Sequence, residues 1–203
     1  MTSRRERART AVRAAFEEAK LFFGYAFIVF VPGSNPPRHP HASPDAPKLP
    51  PANWTDEECQ LYIDEARLDV QHQQTEKRDI RARAQVMLTT AIVVAGAIVA
   101  SYGGKAGLCV VESLLYIAAG LFTTMAGLAA GGIISAKSTV GTVSLTALPH
   151  YESGELRRTV ANGYASTRND GAETVATLVT VLRVCVLAIV LGAGFLAAAH
   201  ITA

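Results

Sequence analysis

Residues 86–102, 107–135 and 184–203 form three long apolar runs, and these decide what the chain can fold into. The first, VMLTTAIVVAGAIVASY, contains no charged residue. As a helix rising about 1.5 Å per residue it reaches roughly 25 Å, close to the thickness of the hydrocarbon core of a bilayer. The second carries one charge, Glu112, and is free of charge from Ser113 to Ser135. The third follows Arg183 and holds no acidic residue, Lys or Arg. A helix of a water-soluble protein keeps a polar face, and these runs have almost none. Hydrocarbon is the solvent in which such segments are stable.

The expected fold is an all-α integral membrane protein. Three transmembrane helices are expected: a short-loop hairpin, closed by the link at residues 103–106, and a C-terminal span. Hydrophilic helical extensions should continue from them into the cytoplasm. Of the 203 residues 50% are hydrophobic but only 7% aromatic, so the apolar content is mainly aliphatic and suits lipid-facing helices.

Composition shifts divide the chain into six stretches. Residues 1–31 read as a basic, amphipathic or interfacial helix, with Val12, Phe16, Phe23 and Phe27 at roughly helical spacing. That stripe fits either a membrane-surface anchor or a helix docked on the rest of the protein. The basic start, from Arg4 to Arg13, is followed by Glu17, Glu18 and Lys20 and so does not read as a signal peptide. Residues 32–54 hold eight of the nine prolines and read as an extended linker. Residues 55–84 read as a cytoplasmic stalk helix. Thr55 and Glu58 have capping-box spacing, and Cys59, Tyr62, Ile63, Ala66 and Val70 share a face. Beyond Val70 the polar run QHQQTEKRD must be solvated or paired with another polar helix. Residues 85–135 are the transmembrane hairpin. Residues 136–172 form a cytoplasmic loop with a helix near 155–168. Residues 173–203 start a further helix at Asp170 and Glu173 and carry it into the third span.

Charge placement sets the expected orientation. Thirteen of the 19 Lys and Arg precede the first span, five lie between the second and third, and one, Lys105, lies in the hairpin link. Lys77, Arg78, Arg81 and Arg83 flank the first span and Lys137 follows the second. Basic residues stay cytoplasmic, so the amino terminus and middle loop are expected inside and the C-terminus outside the inner (plasma) membrane. The net charge of +2 is too small to make nucleic acid a main partner. Alanine richness and the preference for Arg over Lys fit a bacterial source.

Few residues invite a chemical role. Cys59, Cys109 and Cys185 are scattered and form no disulfide framework or zinc motif. His39 and His41 sit in the proline-rich linker and read as solvated. No metal, cofactor or catalytic motif is present in the sequence pattern. Glu112 and Arg183 are the charges at the apolar runs, and an ionisable group in lipid is a functional candidate. Glu112 lies close enough to the outer end to reach the surface or Lys105, and Arg183 is expected as a cytoplasmic flank. Gly127 and Gly131 form a GxxxG pair. Gly96 with Ala100, Ala188 with Gly192, and Gly194 with Ala198 are small-residue pairs of the same spacing, which let helices pack closely within a chain or between copies.

The expected function is that of a small, non-enzymatic interaction or effector protein, or a structural membrane component, that self-assembles in the bilayer, with a cytoplasmic protein or small-molecule signal as its partner. In outline, residues 55–203 resemble small bacterial membrane effectors of antiphage systems, which join cytosolic helices to a few spans. The alternative is a channel or transporter subunit, with Thr89, Thr90, Thr123 and Thr124 as candidate pathway residues. A membrane enzyme, with Glu112 or His150 as its titratable group, is the third reading.

Overall fold

A computed structural model describes residues 4–30, 50–51, 53–103, 109–136 and 153–202. Among these residues there are four helices and no strand: α1 (Arg4–Ile28), α2 (Asp56–Gly103), α3 (Val110–Ser135) and α4 (Ser153–Ile201). Three of them, α2, α3 and α4, are long and apolar enough to cross a membrane. His39, His41, Lys105, Lys137 and His150 lie outside the described residues.

The start of α2 follows from its sequence. The Glu58 carboxylate accepts the Thr55 N–H at 2.7 Å, and the Thr55 hydroxyl accepts the Glu58 N–H at 3.3 Å. Asp56, Glu57 and Glu58 place negative charge on the positive end of the helix. Thr55→Ala removes the cap and is expected to cost about 1 kcal/mol. Thermal unfolding in detergent measures this, and an unchanged midpoint would refute the role. Beyond the cap no Gly or Pro interrupts the helix before Gly96, and α2 runs for 48 residues. The helix α4 is equally long, at 49 residues. It passes through Asp170 and Glu173 unbroken, so the second start signal there is unused.

The chain forms two compact units. The hydrophilic unit takes residues 56–79 of α2 and 153–177 of α4. Cys59, Ile63, Ala66 and Val70 are buried, as their spacing predicts, and on α4 so are Ala161 and Ala165. Polar ties join the two helices. Arg168 Nε lies 2.8 Å from the Asp69 carboxylate, and Arg157 lies 3.4 Å from Asp56. Gln73 donates from Nε2 to the Arg168 carbonyl at 3.0 Å. Gly171 leaves room for that amide, because a Cβ there would overlap Gln73 Oε1. The polar run after Val70 is thus partly paired with α4. The ion pairs are about half exposed, so each contributes at most about 1 kcal/mol.

The apolar unit takes α1, residues 80–103 of α2, α3 and residues 178–201 of α4. Its centre is α3, whose Tyr116, Ala119, Thr123, Ala126, Ala129, Ala130 and Ile133 are buried. Near one end Ile98 of α2, Tyr116 and Ala119 of α3, and Ala199 of α4 share one cluster. Further along α3, Gly127 faces Ala91 and Leu88 of α2, and at the other end Arg81 meets Ala136. These levels make α2 antiparallel to α3. Gly192 of α4 meets Thr123 and Ala119, which sets α4 antiparallel to α3 as well.

α1 packs along α3. Its buried face is Leu21, Phe22, Tyr25, Ala26 and Ile28. The stripe read from the sequence, Val12, Phe16, Phe23 and Phe27, is exposed and lies on another face. The reason is steric: small residues of α3 admit the α1 backbone itself, so the contact forms on the side where Tyr25 and Ala26 can approach. Tyr25 and Val29 meet Gly132 and Gly131, whereas Phe22 and Phe23 share a groove with Leu121 and Met125. The two helices are therefore parallel, and the first turns of α1 extend toward the end where α3 begins.

Candidate functional site

The polar groups of the apolar unit gather at three levels along α3. At its amino-terminal end, Glu112 lies in the first helical turn and is buried at 7% exposure. A carboxylate there faces the unsatisfied N–H groups and positive pole of the helix, and Cys109 at the N-cap offers no side-chain hydrogen bond of its own. One turn on, Tyr116 is buried at 2% and meets Tyr102 and His200 edge-to-face, with ring centroids 5.8 and 6.4 Å apart. The His200 Nδ1 is 3.2 Å from the Leu196 carbonyl oxygen. Glu112, Tyr102, Tyr116 and His200 thus crowd one end of the bundle. Sequence reasoning found only Glu112. The others are spread over three helices, and no local spacing links them.

At the middle level the helices approach closely. A Cβ on Gly192 would stand 2.6 Å from the Thr123 hydroxyl oxygen and 3.3 Å from the Ala119 carbonyl oxygen. Thr123 Oγ1 is buried and has no hydrogen-bond partner among the described residues. The hydroxyl and the carbonyl instead face the α-carbon of Gly192, a weak C–H···O geometry common between packed helices. Ala188 is buried, and Gly127 and Gly131 have ordinary van der Waals neighbours within the chain. Gly96 and Gly194 have open space where a Cβ would stand, and Ala100 is exposed. Gly127, Gly131 and Ala188 are therefore used within the chain, whereas Gly96, Ala100 and Gly194 are left open. Gly132, the glycine set against backbone, stands beside the GxxxG pair and is not singled out by that spacing. A Cβ there would overlap the Tyr25 carbonyl oxygen and lie 2.8 Å from its carbon.

At the third level Arg81 donates from Nη2 to the Ala136 carbonyl at 2.7 Å. Ala136 is the C-cap of α3, so the guanidinium sits at the negative pole of that helix. Arg81 was read as a membrane-flanking charge, and the structure gives it this capping contact too. Arg78 and Arg83 are exposed on α2, and Lys77 is half-buried. Arg183 is exposed on α4 and has no hydrogen-bond or ion-pair partner among the described residues. It does not share a level with Glu112. Arg183 is about 25 Å along α4 from His200, the residue that packs on Tyr116.

Of the threonines, Thr123 is buried. Thr89 and Thr90 border a shallow groove of about 410 Å³ with Gln85 on α2. Their hydroxyls donate to the Gln85 and Val86 carbonyls of their own helix, at 3.0 and 2.9 Å. No three His, Cys, Asp or Glu side chains cluster as metal ligands among the described residues. Comparison with known proteins brings no matching family, curated relative or solved structure.

Proposed function

We propose that this chain is a non-enzymatic membrane effector that couples a cytoplasmic signal to its apolar helices and assembles with copies of itself. The supporting observation is the continuity of α2 and α4, each a single helix from its hydrophilic to its apolar part. A helix without a hinge passes on a rotation or shift applied at one end, and such shifts are a known switching device. In this reading the amino terminus and the hydrophilic parts are cytoplasmic and the C-terminus lies outside the plasma membrane, which the basic residues Lys77, Arg78, Arg81 and Arg83 beside the first span support. Assembly is supported by the exposure of α2. Only 17% of its most apolar window is buried, against 39% for α3 and α4, and the faces of Gly96 and Ala100 are open. The incoming signal is a cytoplasmic protein or small molecule that engages the paired hydrophilic helices.

Induced expression in bacteria loaded with a membrane-potential dye tests this reading. Depolarisation and growth arrest are expected. Full potential and normal growth at a confirmed membrane level of the protein would overturn it. A second reading, a channel or transporter subunit, is favoured by the hydroxyl-lined groove at Thr89 and Thr90. Selective solute flux into liposomes, abolished by Thr89→Val with Thr90→Val, would support that reading over the first.

A further inference from the structure

The apolar unit has a groove of about 370 Å³ between α1, α3 and α4. Phe22 and Phe23 form one wall, Met125 another, and Leu187, Ala188 and Leu191 the third. Its surface is almost wholly apolar. It runs along the parts of α3 and α4 that are apolar enough to span a bilayer, so hydrocarbon is the medium that reaches it.

A charge stands beside one end of this groove without lining it. Arg183 stands one turn before Leu187 and two before Leu191, on the same line of the helix. It adjoins Val184, which also lines the groove. The antiparallel packing of α4 on α3 puts this end toward the carboxyl terminus of α3. Arg183 is the only Lys or Arg after Arg168, and no Asp or Glu follows Glu173. Its guanidinium is exposed and has no anion partner among the described residues. Lys20 adjoins the groove on α1, but Glu17 and Glu18 share its turn and offset its charge. A cation at the end of a membrane span lies at the depth of the lipid headgroups, where an anionic phosphate can meet it.

We infer that the groove holds one acyl chain of an anionic phospholipid whose phosphate is bound by Arg183. The chain supplies the apolar fill and the phosphate supplies the missing counter-charge, with two donors of the guanidinium able to pair with its oxygens. This site does not depend on the effector reading, since a channel or a structural component would bind the same lipid.

Native mass spectrometry of the full-length protein in mild detergent tests the inference, with phosphatidylglycerol and phosphatidylcholine of matched chains as probes. Retention of phosphatidylglycerol is expected to exceed that of phosphatidylcholine about fivefold, the effect of one basic residue at a membrane surface. Arg183→Gln should remove the preference and Arg183→Lys should keep part of it. Leu187→Asn, at an exposed position, should lower retention of both lipids. Equal retention of the two lipids by the unaltered protein, or a preference that survives Arg183→Gln, would overturn the inference. Displacement of the lipid by millimolar inorganic phosphate would also overturn it, by making this a site for a free anion.

Discussion

Gly132→Ala should loosen α1 from α3 and lower stability by about 1–3 kcal/mol, the usual cost of forcing a methyl group into a filled space. The added carbon would overlap the Tyr25 carbonyl, and backbone cannot swing aside as the tip of a side chain can. Gly127→Ala and Gly131→Ala are the internal controls. A Cβ at either position finds its nearest neighbour at 3.4 Å, an ordinary contact. Both controls should be neutral or gain up to about 1 kcal/mol from the better helix propensity of alanine. Thermal midpoints in detergent and protease cleavage near Arg13 and Lys20 report the difference. If all three substitutions behave alike, the close approach of α1 to Gly132 is refuted.

Arg83→Pro should have the largest effect, about 3 kcal/mol or more. The residue is exposed, so nothing is lost from the core. The proline ring removes the N–H that bonds to the Asp79 carbonyl and collides with that carbonyl, at the point where α2 passes between the two units. Arg83→Ala keeps the helix and removes only the charge. Under the proposed function the proline variant loses the depolarisation response and the alanine variant keeps it. A proline variant with an unchanged thermal midpoint and full response would show that continuity of α2 is not required.

The apolar runs made the helical class and the three candidate spans legible, because length and lack of polar faces are local properties. The start of α2 was legible for the same reason: Thr55 and Glu58 are three residues apart and bond to each other. The face formed by Cys59, Ile63, Ala66 and Val70 was legible from period alone. The packed face of α1 was not. The apolar stripe of Phe16, Phe23 and Phe27 is the stronger periodic signal, yet Tyr25 makes the close contact, because the deciding feature is a glycine more than a hundred residues away. Likewise small-residue spacing points to Gly127, Gly131 and Gly192, and of these only Gly192 has a hydroxyl that leaves no room, whereas Gly132, set against backbone, is not singled out by it. Which glycine matters depends on what stands opposite it, and spacing within one helix carries no information about that.

The alanine-rich centre of α3 has a mechanical consequence. Ala119, Thr123, Ala126 and Ala130 recur about once per turn, and short side chains of similar size offer neighbouring helices few teeth to engage. These short side chains let α2 and α4 lie close to α3, as α4 does at Gly192. At α1 the situation differs. One turn away from Gly132 stand Leu128 and Ala136, and either would drive a carbon into the Tyr25 carbonyl. Gly132 therefore sets the register of α1 on α3, because a move of one turn either way would put a side chain against that carbonyl.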